Sequence, residues 1–146
     1  MVMGSLATGT DVLIIGGGPG GYTAAIRCAQ LGKDVILVEK ANLGGICLNH
    51  GCIPAKALIH TANFLDNIKT SEKLGISIKD LSLDPVKLQA WKNTLVSQLR
   101  NGISDLCKKH GIEVIKGEAY FESSNKASVK TENGIGMIEF KNAIIA

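Results

Sequence analysis

Asp11-Val-Leu-Ile-Ile-Gly-Gly-Gly-Pro-Gly-Gly-Tyr22 passes from an unbroken apolar run straight into six residues of glycine and proline. Asp11 to Ile15 fits a short strand buried on both faces. From Gly20 to Leu31 the pattern turns helical, with Tyr22, Ala25, Ile26 and Ala29 on one side and Gly32 as the stop. Asp34 to Glu39 is a second apolar strand closed by an acid. Strand, glycine turn, helix and strand make a right-handed βαβ unit with parallel strands. Gly16, Gly18 and Gly21 are spaced G-x-G-x-x-G, and each has a mechanical task. Gly16 allows the tight turn, Gly18 lets a pyrophosphate approach the backbone, and Gly21 lets helix and strand pack closely. The helix start offers free N–H groups to an anion. Glu39 stands where a carboxylate can accept hydrogen bonds from a ribose 2′-hydroxyl. The unit therefore reads as a dinucleotide site, without separating FAD from NAD.

The flanking composition agrees. Seventeen glycines in 146 residues is well above the usual share of about 7%, and many cluster at 16–21 and again at Gly44, Gly45 and Gly51. Hydrophobic residues at 45% and charged residues at 20% exclude wholesale disorder. No apolar run reaches the roughly 18 residues that span a bilayer. Met1 to Thr10 reads as a tail and not as a targeting leader, so a cytoplasmic location is expected. A net charge of +3 is too mild to argue for nucleic acid. Much of it falls between Asp84 and Lys109, where Lys87, Lys92, Arg100, Lys108 and Lys109 read as a solvated helix face.

Further along, a helix should begin near Gly45 or Gly51 and run to about Lys69, with Ile53, Ala57, Leu58, Ala62 and Leu65 as its apolar side. Pro54 would kink it if it starts as early as Gly45. Asp84-Pro85 signals a second long helix reaching His110. Its Leu88, Trp91, Leu95, Leu99, Ile103 and Leu106 should form one buried stripe. Ile112 to Lys116 reads as a third parallel strand. Ala119–Glu122, Ala127–Thr131 and Met137–Lys141 read as an antiparallel meander, and Asn142–Ala146 as a separate last strand. The sequence stops within that strand, and a fragment of a longer chain is expected.

Cys47 and Cys52 lie five apart, which is not the C-x-x-C spacing of zinc or thioredoxin sites. Free thiols, a structural bridge, two metal ligands and a redox pair are all open on spacing. A bridge needs a distorted turn, for which Gly51 and Pro54 are suited. A nearby dinucleotide site favours the redox pair, since a flavin exchanges electrons in pairs with a dithiol.

Taken together, Gly16-Gly-Gly-Pro-Gly-Gly-Tyr-Thr-Ala-Ala-Ile-Arg27, Val38-Glu39 and Leu43-Gly-Gly-Ile-Cys-Leu-Asn-His-Gly-Cys-Ile-Pro-Ala-Lys-Ala-Leu58 resemble the pyridine nucleotide-disulfide oxidoreductases. Leu48 and the Ile53-Pro-Ala-Lys-Ala-Leu58 run are most similar to the branch that oxidises dihydrolipoamide. Other disulfide reductases and mercuric reductases are similar too, and a non-catalytic flavin-binding module is a further alternative. The resemblance implies an α/β, Rossmann-like FAD-binding domain over residues 11–146, with a parallel sheet and a small antiparallel meander. It implies that Cys47 exchanges with dihydrolipoamide and that Cys52 lies against the flavin. It implies Lys56 near flavin N5 and the backbone around Gly117 against the adenosine half. Gly16, Gly18, Pro19, Gly20, Gly21, Glu39, Lys40, Gly44 and Gly45 complete the implied FAD-binding set, together with both cysteines. No metal is implied.

The implied parent reaction passes electrons from a protein-bound dihydrolipoyl group through Cys47–Cys52 to FAD and then NAD. Its implied partners are lipoyl domains of 2-oxoacid dehydrogenase or glycine cleavage complexes, in a homodimer. The nicotinamide-binding and interface domains lie outside this sequence, so the chain alone is expected to be inactive. Ile46, Ala55 and His50 depart from the family pattern. For His50, thiolate tuning and an incidental polar substitution are both open. His60 and His110 read as ordinary helix residues.

Overall fold

The computed structural model describes residues 8–146. Of the expected tail, residues 1–7 lie outside the described part, whereas Thr8 to Thr10 already belong to the first strand. In chain order the elements are β1 (Thr8–Ile15), α1 (Pro19–Gln30), β2 (Val35–Glu39), α2 (Gly45–His50) and α3 (Cys52–Thr70). After a short 3-10 turn at Ser71–Leu74 come α4 (Pro85–Lys109), β3 (Glu113–Lys116), β4 (Glu118–Ser123), β5 (Lys126–Thr131) and β6 (Gly134–Ile145). Six strands form one sheet in the order β3-β2-β1-β6-β5-β4. The β3, β2, β1 and β6 pairings are parallel, and β6-β5-β4 are antiparallel.

This is the α/β, Rossmann-like architecture expected, with one correction to the sheet. Met137–Lys141 and Asn142–Ala146 are not two strands but parts of one. β6 pairs antiparallel with β5 over Gly134–Glu139 and parallel with β1 from Ile138 to Ile145. A single long strand thus stitches the meander to the parallel sheet, and no turn is needed between its halves.

The alternation of β1 and β2 sends side chains to two cores. Val12, Ile14, Val35 and Leu37 face the helices, against Ala25, Leu48, Val96, Ile103 and Cys107. Leu13, Ile36 and Val38 face the other way, against Ala127, Val129, Ile138 and Phe140. The meander therefore does the covering that helices do on the first face. Both faces of β1 and β2 are dry, which is why these strands carry unbroken apolar runs.

Helix boundaries follow the local chemistry. Pro19 opens α1, and Asp84 caps α4 by accepting hydrogen bonds from the Val86 and Lys87 amides at 3.0 and 3.1 Å. The expected single helix after Gly45 is two helices, broken at Gly51 and not at Pro54. Gly51 has φ −123° and ψ −101°, outside the helical region, while Pro54 sits harmlessly in the first turn of α3. In α3 Ala57 is buried, but Leu58 and Ala62 are exposed.

The α4 stripe is likewise shifted. Val96, Ile103 and Cys107 are its buried residues, whereas Trp91, Leu99 and Leu106 are 46%, 41% and 45% exposed. The helix rests on α1, α2 and α3, with Val96, Ile103 and Cys107 in the shared core, and α3 flanks the Trp91 end without burying it. Among the described residues no helix is long and apolar enough to cross a membrane.

Candidate functional site

The parallel strands β1 and β2 end side by side, at Ile15 and Glu39, and the chain leaves them over the sheet edge where ligands settle in open α/β folds. Gly16 turns away from β1 with φ +102°, and its amide donates to Val38 O at 2.8 Å. A Cβ at Gly16 would strike the carbonyl oxygen of Ala146, and one at Gly21 would strike that of Gly16. Two of the three motif glycines are therefore required by protein packing. Gly18 differs, because a Cβ there meets nothing within 4 Å and Gly18 lines the cleft. Its bare backbone leaves the room that a phosphate group needs. The α1 N-terminus behind it holds no acidic residue in its own first turn, so the positive end of that helix is not offset from within the helix.

Glu39 is fixed by two backbone amides. Its Oε2 accepts from Gly17 N at 2.6 Å and its Oε1 from Ala41 N at 2.7 Å. Each oxygen keeps a second lone pair for a hydroxyl. The carboxylate ties the loop after β1 to the loop after β2. Gly44 N donates to Gly17 O at 2.8 Å and adds a third strut. Gly44 and Gly45 both have positive φ, +93° and +58°, a conformation that side chains resist. Gly45 packs so closely on Gly18 that its Cβ would come within 2.8 Å of the Gly18 Cα.

The cleft above these loops holds about 510 Å³, within the range of cofactor sites. Of the expected binding residues, Gly16, Gly18, Glu39, Lys40, Gly45 and Gly117 line it. Pro19, Gly20, Gly21, Gly44, Cys47, Cys52 and Lys56 do not form its wall. Gly117 is brought there by its amide, which donates to Glu39 O at 3.0 Å. A Cβ at Gly117 would lie 2.7 Å from Lys130 O.

Residues that sequence reasoning did not single out also line the cleft, notably Asn42, Asn49 and Glu118. Asn49 Nδ2 donates to Leu43 O at 3.0 Å and Gly45 O at 2.9 Å, and its buried Oδ1 has no partner. Its spacing from Gly45, one helical turn, was the available signal. A volume of this size, a bare glycine, an anion-ready helix start and a fixed carboxylate together fit a dinucleotide.

The two sulfurs sit just beyond. Cys47 lies within α2 and Cys52 opens α3, and they form a disulfide with Cα atoms 4.7 Å apart. The break at Gly51 makes this approach possible. Even a methyl group there would press on Ile46 O at 3.3 Å and Cys47 Cα at 3.5 Å. The open choice among free thiols, ligands and a bridge thus closes on the bridge. Among the described residues no cluster of His, Cys, Asp or Glu could hold a metal. Cys47 is half-buried and Cys52 exposed. Lys56 follows Cys52 by one turn of α3 and is exposed with it. Cys28 and Cys107 remain free, and burial pushes the Cys107 thiol up from its ordinary value.

Residues 10–146 match the family model of the pyridine nucleotide-disulphide oxidoreductases. The whole chain is 51% identical to a dihydrolipoyl dehydrogenase of Bacillus subtilis and 48% identical to one of Geobacillus stearothermophilus. A dihydrolipoyl dehydrogenase of Haloferax volcanii is 46% identical. The chain spans 31% of the length of each of these relatives.

Proposed function

The chain belongs to the pyridine nucleotide-disulphide oxidoreductase family, and from that membership we propose that it is the flavin-nucleotide and disulfide-bearing part of an enzyme that oxidises dihydrolipoamide. The observation that carries the reading is the junction of a dinucleotide cleft and a disulfide on one short helix, α2. Gly45 and Ile46 line the cleft, and Cys47 next to them forms the bridge.

Gly16, Gly18, Glu39, Lys40, Gly45 and Gly117 would hold FAD, with the α1 N-terminus facing its diphosphate. A flavin bound there supplies a two-electron acceptor for the reduced cysteine pair, with NAD as the final acceptor. The chain's own chemistry is thiol–disulfide exchange. A lipoyl thiolate attacks Cys47 Sγ, the Cys47–Cys52 bond breaks, and Cys52 leaves as a thiolate.

Position decides which sulfur leaves. Cys52 is the first residue of a 19-residue helix, and the positive end of that helix favours the anion. Cys47 is the third residue of α2, a helix of only six residues, whose shorter dipole supports an anion less. The second lipoyl thiolate then attacks the lipoyl sulfur of the mixed disulfide. That closes the lipoyl disulfide and releases the Cys47 thiolate. Two electrons pass from the lipoyl group to the protein, and the two protons of the dithiol go to solvent or to the cysteine sulfurs. Lys56, one turn beyond Cys52, places a positive charge beside that sulfur's helix face.

The proposed substrates are lipoyl groups carried on domains of 2-oxoacid dehydrogenase or glycine cleavage complexes, met by a homodimer in the cytoplasm. The test is to mix FAD-saturated protein with dihydrolipoamide, alkylate, and map the labelled cysteines. Labelling of Cys47 and Cys52 in proportion to lipoamide formed supports the reading. No labelling above an untreated control refutes it, and a response only to glutathione or to Hg²⁺ chemistry assigns the chain to another reductase of the family.

A further inference from the structure

We propose that His50 binds the diphosphate of the dinucleotide, reaching it from the α2 side of the cleft; this deepens the flavin-nucleotide reading above and rests on it. The placement comes from helix geometry. Residues 46, 49 and 50 fall on one side of α2, since a step of four residues turns a helix by only about 40°. All three line the cleft, and Cys47 does not. His50 therefore faces the nucleotide site, although in sequence it stands between the two cysteines.

Charge supplies the second argument. The other charged residues on the wall are Glu39 and Lys40 at the end of β2, and Glu118 on β4. Two carboxylates thus meet one ammonium where a diphosphate would add further negative charge. The Gly17 amide is already engaged by Glu39, so it is not free for a phosphate. Asn49 has also committed its N–H groups, to Leu43 and Gly45. His50 is exposed, and among the described residues its imidazole makes no side-chain hydrogen bond. It is the one other side chain on the wall able to carry a positive charge, and it donates through either ring nitrogen.

The experiment is calorimetric titration of the purified protein with FAD, ADP and adenosine, for the unaltered chain, His50→Val and His50→Gln. His50→Val should weaken FAD and ADP by about threefold to tenfold, the range of one ordinary hydrogen bond, because solvent at this exposed site screens the charge. Adenosine, which lacks phosphate, should change less than twofold. Raising the salt concentration should narrow the gap between the two proteins. His50→Gln should fall between them, since it keeps a donor without charge. Unchanged ADP binding in His50→Val overturns the proposal and leaves the flavin reading intact. Equal weakening of adenosine overturns it as well, because the effect would not come from phosphate. Failure of the unaltered protein to bind either FAD or ADP refutes the flavin reading, and this proposal with it.

Discussion

Replacing Glu39 by Gln exchanges one carboxylate oxygen for an NH₂ group at a place where both neighbours are N–H donors. The amide oxygen can accept from only one of Gly17 N and Ala41 N, which now sit 2.6 and 2.7 Å from the two oxygens. The Gly17 contact is the more buried, so the oxygen should turn there. The NH₂ group then opposes the Ala41 N–H at the exposed end, where water can separate them. One charge-assisted bond becomes neutral and one is lost, a cost of about 2 kcal/mol. For a chain of this length that lowers the melting temperature by roughly 4–8 °C. Thermal denaturation followed by circular dichroism, without nucleotide, measures it. Glu39→Asp should lose nearly as much, because the shorter side chain cannot reach both loops. A Glu39→Gln protein melting within about 1 °C of the unaltered one would show that this carboxylate does not brace the two loops.

Gly21→Ala should lower stability by about 1–3 kcal/mol, because the new methyl meets Gly16 O, whereas Gly20→Ala, whose methyl meets Ala146 Cβ at 3.7 Å, should leave the melting temperature nearly unchanged. The Asp11–Lys141 pair, 2.6 Å apart, ties β1 to β6. Its hydrogen bond from Lys141, helped by the Asp34 amide, holds the Asp11 carboxyl below its ordinary value, and the same bond raises Lys141. A lowered carboxyl adds stability above its unfolded value and loses it as pH falls through the folded one; the raised lysine loses its share as pH climbs through its folded value. Urea titrations in acid should therefore show a shallower fall in stability for Asp11→Asn than for the unaltered chain. With the disulfide intact, a thiol reagent should modify half-buried Cys28 in the native state and reach fully buried Cys107 only after denaturation.

The βαβ core was legible because local signals and burial agree there. The Val35–Glu39 strand and the glycine turn read correctly since β1 and β2 are dry on both faces. Disagreement arose where neighbours choose among equivalent patterns. α4 carries apolar residues at 91, 99 and 106 and also at 96, 103 and 107, and periodicity cannot say which set a partner covers. β6 looked like two strands because Lys141 and Asn142 interrupt its apolar run. Their pairing explains them: Asn142 lies opposite Val12, and Lys141 reaches Asp11 at the rim.

The cleft was legible only where a motif marked it. Gly16, Gly18 and Glu39 follow from the βαβ unit, Asn49 could be reached only by counting one helical turn from Gly45 within α2, and Glu118 arrives through the bend after β3, which leaves no spacing to count. Gly21, by contrast, was read correctly as a packing glycine, and it stays off the cleft wall for that reason.

Anaerobic reductive titration of the FAD-loaded protein tests most directly whether the disulfide and the flavin form one redox unit. A disulfide and a flavin each take up two electrons, so complete bleaching of the flavin should need twice as much reductant in the unaltered protein as in Cys47→Ser, whose Cys52 has no partner sulfur. Equal reductant demand in the two proteins would mean that Cys47–Cys52 does not exchange electrons with the bound nucleotide.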